Sequence, residues 1–312
     1  MSSRDELAAR WYALQRWRRG GRLERWLHRP LASLGHWRRG HELQRIRRRD
    51  KAVERRARLF WGAAMWVTPP EAVSAGLYHG GYFEPDLTTA LIEHLPAGGT
   101  FLDLGAHYGY GSLLAAHLVG PGGQVHAFEP NRRSFELLRR NLAGLAQVTL
   151  HSQAVAEAPG RLELQDYGSA WSSFSTCASP RHRQLQGRPH ESYEVDAVTV
   201  DQAVAELGLR PDFVKIDVES KELEVLQGME RTLATCRPRL ALEVGDEAPR
   251  ADGTTSRDLL DFLAARGYQP YQLAADATTR QPGHSFEPHV PQKHYVYQNL
   301  LFLPAGLAGE RP

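Results

Sequence analysis

The chain has 312 residues, enough to bury a core in one large domain or in one domain with an appendage. No run approaches the roughly 18 apolar residues that mark a membrane span. The two cysteines, Cys177 and Cys236, give no disulfide framework and fit a reducing cytosol. The net charge of +2 hides an asymmetry, because residues 1–60 carry 18 Lys and Arg against 6 Asp and Glu.

The first part of the chain is a distinct compositional block. Six of the seven tryptophans lie before residue 67. Apolar residues recur at helical spacing over residues 7–17 and again over 43–60. The Thr-Pro-Pro run at 68–70 interrupts this pattern. We therefore predict a basic, Trp-rich helical region over residues 1–67 and a separate domain over residues 68–312.

Three interpretations of this basic region stay open. Arginines and tryptophans over residues 1–66 could make peripheral contact with an anionic membrane, which would place a cytoplasmic protein at the inner membrane face. The same residues could bind nucleic acid, which we consider the weakest interpretation. The tryptophans could instead pack on the following domain or on a second subunit of a homo-oligomer.

From residue 86 onward, helical segments alternate with short apolar runs. The predicted strands are TFLDL (100–104), QVHAF (124–128), QVTLH (147–151), DFVKI (212–216), RLALEV (239–244), YQPYQL (268–273) and YVYQNLLFL (295–303). Such alternation indicates an α/β fold with a mainly parallel seven-stranded sheet flanked by helices. A ligand is then expected beyond the carboxyl ends of the strands.

A glycine-rich turn follows the first of these strands. Asp103, Gly105, Gly109 and Gly111 form the pattern D-x-G-x-x-x-G-x-G, and Glu129 follows the second strand. Glycines let the backbone approach a ligand closely, and an acidic residue after the second strand can accept hydrogen bonds from ribose hydroxyls. The motif therefore predicts a site for a nucleoside-bearing cofactor.

The spacing of the glycines bears on which cofactor is bound. Dinucleotide sites use G-x-G-x-x-G, which this turn does not match. A carboxylate at Asp103 would repel a pyrophosphate but can hold an ammonium group, such as that of S-adenosylmethionine. We therefore expect S-adenosylmethionine as the cofactor. One alternative is an NAD-dependent oxidoreductase, and a second is a glycine turn that binds no ligand.

Residues 152–200 interrupt the alternation of strands and helices. They include the Ser-rich run YGSAWSSFSTCASP, in which Ser172 and Ser173 are candidate substrate contacts. A long insertion of this kind in a compact domain is often a lid or a substrate loop. A disordered surface excursion is the other interpretation.

Carboxylates follow the next two strands. Asp217 and Glu219 are the candidate catalytic residues, because a hydroxyl acceptor must lose a proton to a nearby base. Glu243 is a candidate substrate contact, and Asp217, Glu243 and Asp246 together could hold Mg²⁺. Alternatively, these carboxylates cap helices or are solvated. Lys215 is expected to face away from the site or to pair with a carboxylate at the edge of the core.

The motifs together resemble those of the FkbM family of methyltransferases. The resemblance covers roughly residues 78–245 and rests on FLDLGAHYGYGS, HAFEPN, QAVAE, VDAVTVDQAV, DFVKIDVESKELEVLQGM and RPRLALEV. It implies a Rossmann-like class I methyltransferase fold, S-adenosylmethionine as cofactor, and methylation of a hydroxyl on a sugar, glycan or natural product. N-methylation, or a scaffold that has kept this fold without turnover, stays open.

The resemblance also implies a set of site residues. The cofactor-binding residues would be Tyr82, Glu84, Asp103, Gly105, Ala106, His107, Gly109, Tyr110, Gly111, Glu129, Pro130, Asn131, Ala154, Val155 and Asp217. The substrate contacts would include Glu219, Glu243, Ser172 and Ser173. His107 replaces the family's usual asparagine and could donate to the methionine carboxylate or pack in the loop. Ser220 replaces a usual glycine, and we expect this change to be tolerated, because serine is small and its hydroxyl could still cap the following helix.

Overall fold

The computed structural model describes residues 3–19, 30–48, 51–175, 177, 187–246, 254–277, 284–293, 295 and 298–306. Two helices, α1 (Ser3–Arg19) and α2 (Pro30–Arg47), precede an antiparallel hairpin of β1 (Arg55–Arg58) and β2 (Ala64–Val67). The helix predicted over residues 43–60 is therefore wrong beyond Arg47. Gly62, at φ +100°, reverses the chain there, and Ala57, Met65 and Val67 point inward at the two-residue period of strands.

The remaining elements alternate along the chain. The helices are α3 (Ala72–Gly80), α4 (Pro85–His94), α5 (Tyr110–Val119), α6 (Arg132–Asn141), α7 (Val200–Glu206), α8 (Glu222–Gln227), α9 (Glu230–Thr235) and α10 (Ser256–Ala264). The strands are β3 (Thr100–Leu104), β4 (Gln124–Phe128), β5 (Val148–His151), β6 (Ala154–Val155), β7 (Gly160–Asp166), β8 (Glu191–Val198), β9 (Phe213–Ile216), β10 (Arg239–Val244), β11 (Tyr268–Leu273), β12 (Phe286–Pro288) and β13 (Gln298–Pro304).

The central sheet has the strand order β12-β11-β13-β10-β9-β3-β4-β5. Strands β5, β4, β3, β9 and β10 are parallel, whereas β13, β11 and β12 each pair antiparallel with their neighbours. The predicted Rossmann-like fold is confirmed. The short strand β12, at the sheet edge, makes this an eight-stranded sheet where we predict seven.

The order of the strands positions the site. Strands β9, β3 and β4 are adjacent and parallel, so their carboxyl ends meet at one edge of the sheet. The insertion after β5 forms a separate three-stranded sheet in which β8 lies between β6 and β7. The segment between β7 and β8 then returns toward the glycine turn. The part of it that directly follows β7 is described up to Ser175 and at Cys177.

The N-terminal region shares a core with the α/β sheet. Leu7 and Trp11 of α1 are buried in the same apolar cluster as Leu87, Leu91 and Phe101. The indole nitrogen of Trp11 donates to Thr89 Oγ1 at 3.0 Å. The position of Trp11 therefore fits the interpretation in which the tryptophans pack on the following domain. Within the described ranges, we find no helix whose length and apolar character would let it cross a bilayer.

Candidate active site

A cavity of about 700 Å³ opens at the carboxyl ends of β3, β4, β9 and β10. Its volume is in the range of small-molecule and cofactor sites. Most of the residues predicted from the sequence line it: Glu84, Asp103, Gly105, Ala106, His107, Tyr110, Gly111, Glu129, Pro130, Ala154, Val155, Ser172, Ser173, Asp217, Glu219 and Glu243.

Three other predicted cofactor residues do not line this cavity. Tyr82 packs edge-on against Trp11 with ring centroids 5.0 Å apart, and its neighbour Phe83 faces the cavity instead. Gly109 and Asn131 stand at the beginnings of α5 and α6, where the Asn131 side chain accepts from Ser134 N at 3.0 Å. Both residues shape the cavity through the helices that they start.

The glycine turn lies against the strand that carries the candidate catalytic residues. Gly105 has φ +79°, and a Cβ atom there would overlap the carbonyl oxygen of Asp217. A Cβ atom on Gly111 would come within 3.1 Å of Asp103 Oδ2. Glycine is therefore required at position 105 by both conformation and space, and the turn keeps its backbone open to the cavity.

Glu129 is fixed at the end of β4 by two backbone groups. Its carboxyl oxygens accept from His107 N at 2.8 Å and from Asn131 N at 2.9 Å. The side chain is buried, and burial raises its pKa to about 7 in spite of these hydrogen bonds. Each oxygen retains a lone pair with which to accept from a ligand hydroxyl.

Lys215 lies on the cavity wall and does not face away, and it pairs with carboxylates, as the other expected alternative has it. Its ammonium donates to Gly105 O at 2.7 Å and pairs with Asp217 at 3.1 Å and Asp103 at 3.5 Å. Burial lowers the pKa of Lys215, but the neighbouring carboxylates outweigh burial and the pKa rises above its usual value. The signal was present in the sequence, since Lys215 and Asp217 alternate at strand spacing and share one side.

Carboxylates outnumber lysines among the described residues of the cavity wall, by eight to two. Burial and the nearby charges of Asp217 and Glu222 raise the pKa of Glu219 well above its usual range. Burial likewise raises the pKa of Glu243, and it raises the pKa of Glu84 to about 7. A ligand that carries positive charge would relieve this repulsion, whereas a phosphate would increase it.

The chain does not assemble the suggested Mg²⁺ ligands. Asp246 lies away from the cavity wall, and its two carboxyl oxygens accept from Ser256 N at 2.7 Å and Tyr295 N at 2.8 Å. Within the described ranges, no three or more His, Cys, Asp or Glu residues are grouped so that they could hold a metal ion. Asp246 instead joins β10 to the segment that leads into β13.

The insertion reaches the glycine turn through Ser172. Its buried hydroxyl lies 2.9 Å from His107 Nε2 and 2.7 Å from the Tyr108 hydroxyl, which in turn lies 2.8 Å from Thr68 Oγ1. The His107 ring also stacks on Tyr108, with centroids 3.7 Å apart. His107 therefore connects the turn to the insertion, a role that neither of the two sequence expectations included.

The turn after β9 explains the other departure from the family pattern. Glu219 and Ser220 both have positive φ, +53° and +79°, so a glycine would fit the second position without strain. The cap that the Ser220 hydroxyl could have made is not at the cap position, because Lys221 is the cap residue of α8 and makes no side-chain cap bond. The Glu222 carboxylate accepts from Ser220 N at 3.0 Å and holds the turn.

A profile of the methyltransferase FkbM domain matches residues 103–270, just over half of the chain. The chain belongs to the FkbM methyltransferase family. The match includes the glycine turn, Glu129, Lys215 and the carboxylates after β9 and β10. The oxidoreductase alternative is therefore not supported, in agreement with the excess of carboxylates in the cavity.

Several characterised proteins are similar to this FkbM-family chain. The 31-O-demethyl-FK506 methyltransferase FkbM of Streptomyces tacrolimicus is 30% identical over 162 residues, which are 44% of this chain and 61% of that protein. The hexuronic acid methyltransferase AglP of Haloferax volcanii is 28% identical over 155 residues, which are 48% of this chain and 58% of that protein. The AMB antimetabolite synthetase AmbE of Pseudomonas aeruginosa is 28% identical over 207 residues, 56% of this chain but 10% of AmbE.

Among solved structures, methyltransferase FkbM from Methylobacillus flagellatus is 19% identical and covers 66% of this chain and 43% of its own. The two structures superpose with a TM-score of 0.38. The matched region spans about three-fifths of the two methyltransferase relatives.

The methyl donor of this FkbM-family chain is S-adenosylmethionine, and the cavity residues fit it. The donor carries a sulfonium and an ammonium, which suit a wall rich in carboxylates. Glu129 would accept from the ribose hydroxyls, and the open backbone at Gly105 and Gly111 would admit the amino-acid end.

Proposed function

We propose that this protein transfers the methyl group of S-adenosylmethionine to a hydroxyl on a sugar, glycan or natural-product acceptor. The observation that carries the proposal is the arrangement of carboxyl groups beyond β9, where Asp217 is ion-paired but Glu219 retains a raised pKa in the same cavity. The similar proteins AglP and FkbM are named for a hexuronic acid and for a 31-O-demethyl compound, respectively, which supports an oxygen acceptor.

The two carboxylates after β9 would have different tasks. Lys215 holds Asp217 beside the glycine turn, so Asp217 would orient the bound donor. Burial and the neighbouring carboxylates raise the pKa of Glu219, and a carboxyl with a raised pKa is suited to take the proton of a hydroxyl as it attacks. Glu243, at the end of the adjacent β10, would hold the acceptor or share this proton.

For methyl transfer, the protein has to do little more than align the donor and the acceptor. S-adenosylmethionine supplies a methyl group that its sulfonium already activates. The fixed turn at Gly105 and the clamped Glu129 would set the donor's position, while the insertion around Ser172 excludes water. Such positioning can supply roughly 7–11 kcal/mol of the activation barrier.

Conservative substitutions test these assignments. Glu219→Gln should lower turnover by about 10²-fold or more, the scale of a lost general base, while donor affinity measured by calorimetry stays within a few fold. Asp217→Asn, unlike Glu219→Gln, should also weaken donor binding, because it leaves Lys215 with one carboxylate fewer. Glu163→Gln, at an exposed position on β7, is the matched control.

The acceptor is found by incubating the protein with donor and a panel of hexuronic acids, glycans and polyketides, and then measuring the mass gain of one methyl group. Full turnover in both Glu219→Gln and Glu243→Gln would show that alignment alone carries the reaction. Methylation of a nitrogen in preference to any hydroxyl would overturn the proposed acceptor class. Chelation by EDTA should leave the rate unchanged.

A further inference from the structure

One tryptophan near the N-terminus is left exposed. Trp11 and Trp61 are buried, Trp66 lies beneath Arg140, and Trp17 contacts His36 edge-on. Trp37, in α2, is 57% exposed. Among the described residues of this region, it is therefore the large aromatic side chain available to an outside partner.

Basic side chains surround Trp37 on the same side of α2. At 100° per residue, positions 37, 38, 41, 45 and 48 fall within about one quadrant of the helix. We call this set the α2 basic face: Trp37, Arg38, His41, Arg45 and Arg48, all of which are exposed. The buried Leu43 and Ile46 lie on the opposite side, so the helix is held to the protein away from this face.

The α2 basic face carries no carboxylate. Glu42, the acidic residue of the described helix, is half-buried and accepts from Arg55 at 2.7 Å and from the Tyr78 hydroxyl at 2.6 Å. A cleft of about 570 Å³ between α2 and β1 has Trp37, Arg38, His41 and Arg45 on its wall, together with Glu42, whose charge Arg55 pairs. The face thus presents positive charge and a polarisable ring to whatever lies against it.

This face lies one helix away from the catalytic cavity. α3 packs against α2, where Arg39 donates to the His79 carbonyl at 3.3 Å and Tyr78 donates to Glu42. The other side of α3 places Val73 and Leu77 on the cavity wall. A surface bound by α2 would therefore be separated from the cavity by α3 alone.

We propose that the α2 basic face binds the anionic phospholipid headgroups of a membrane surface, with Trp37 seated at the interface. Arginines attract such headgroups, and tryptophan prefers the boundary between headgroups and acyl chains. Single-stranded nucleic acid is a poorer fit, because proteins that bind it stack successive bases on several aromatic side chains. The face offers one.

Vesicle co-sedimentation of the full-length protein tests this proposal. Vesicles of mixed phosphatidylglycerol and phosphatidylcholine should bind it, vesicles of phosphatidylcholine alone should not, and added salt should weaken the binding. A basic residue near an anionic surface strengthens binding by about fivefold, so Arg38→Gln, Arg45→Gln and Arg48→Gln together should weaken it on the order of 100-fold. Trp37→Ala should weaken it by about tenfold, the scale of one large apolar side chain.

A control with the same change in charge separates the face from net charge. Arg139→Gln, Arg161→Gln and Arg257→Gln remove three exposed arginines, each in a surface ion pair elsewhere, and should leave vesicle binding nearly unchanged. An equal loss in both triple variants, or equal binding to neutral and anionic vesicles, would overturn the proposal. Tight binding to single-stranded RNA without vesicle binding would assign the face to nucleic acid.

Discussion

Glu129 shows at the scale of one residue how folding positions a carboxyl group on the cavity wall. Two backbone N–H groups hold its oxygens, and the surrounding protein removes it from water. Burial destabilises the charged carboxylate by more free energy than these hydrogen bonds restore, so the pKa of Glu129 rises to about 7. The free protein therefore loses stability as the pH rises through this value, and a ligand that donates hydroxyl hydrogens would recover it.

We expect the affinity for S-adenosylmethionine to fall as the pH is lowered from 8 to 6, because the protonated form of Glu129 accepts fewer hydrogen bonds. In Glu129→Gln, affinity at pH 8 should be at least tenfold lower, about 1.4 kcal/mol, and the part of the pH dependence that belongs to Glu129 should disappear. Calorimetry at several pH values measures both effects. Glu163→Gln should retain the wild-type profile, and an unchanged affinity in Glu129→Gln would remove this residue from the site.

At the scale of elements, the insertion lies against the glycine turn and lines the cavity. The antiparallel pair β7 and β8 supports it, and Arg133 of α6 anchors it through an ion pair with Asp166 at 2.8 Å. Ser172 then bonds to the glycine turn through His107 and Tyr108. The residues that follow, from Ser173 to Ser175, line the cavity.

Ser172→Ala removes two hydrogen bonds, each contributing about 1 kcal/mol, that hold the insertion on the glycine turn. We expect dissociation of the donor to become about tenfold faster and proteolytic cleavage between β7 and β8 to accelerate, with little change in the melting temperature. Stopped-flow kinetics and limited proteolysis measure these rates. Ser192→Ala, at an exposed position on β8, is the control. Unaltered donor dissociation in Ser172→Ala would mean that the insertion does not cover the site.

At the scale of the whole molecule, the N-terminal region and the sheet share one apolar core. Arg4 donates to the Ile92 carbonyl at 2.8 Å, and the backbone of Trp66 pairs with the Asn141 side chain at 2.6 and 3.0 Å. Asn141 also donates to the Tyr108 carbonyl at 2.8 Å, which ties the hairpin to the glycine turn. These contacts lead us to expect that the two predicted regions unfold together.

Trp11→Ala should lower the free energy of unfolding by about 3–5 kcal/mol, because it empties a fully buried site and removes the bond to Thr89. Trp37→Ala, at an exposed site, should change it by no more than about 0.5 kcal/mol. Denaturant titration followed by circular dichroism and fluorescence should show one transition. Two separated transitions, with Trp11→Ala affecting one of them, would mean that residues 1–67 fold apart from the rest. Removal of residues 1–66 should expose Leu91 and cause aggregation.

The sequence by itself determined the alternation of strands and helices in the central sheet, the glycine turn and the family. These features depend on local chemistry, namely glycine at positive φ, acidic residues after apolar runs, and hydrophobic periodicity. Asp103, Gly105 and Glu129 could therefore be identified without coordinates. The extra strand β12 and the hairpin over residues 55–67 could not, since short strands form where a neighbouring element offers a partner.

Only the tertiary structure decided which side chains meet. Tyr82 and Asp246 carry suitable chemistry but lie against other elements, whereas Lys215 meets Asp103 of the neighbouring strand β3. The same holds for the tryptophans, which look alike in sequence although Trp11 is buried and Trp37 is exposed. Such differences arise from contacts between residues far apart in the chain, and no local pattern encodes them.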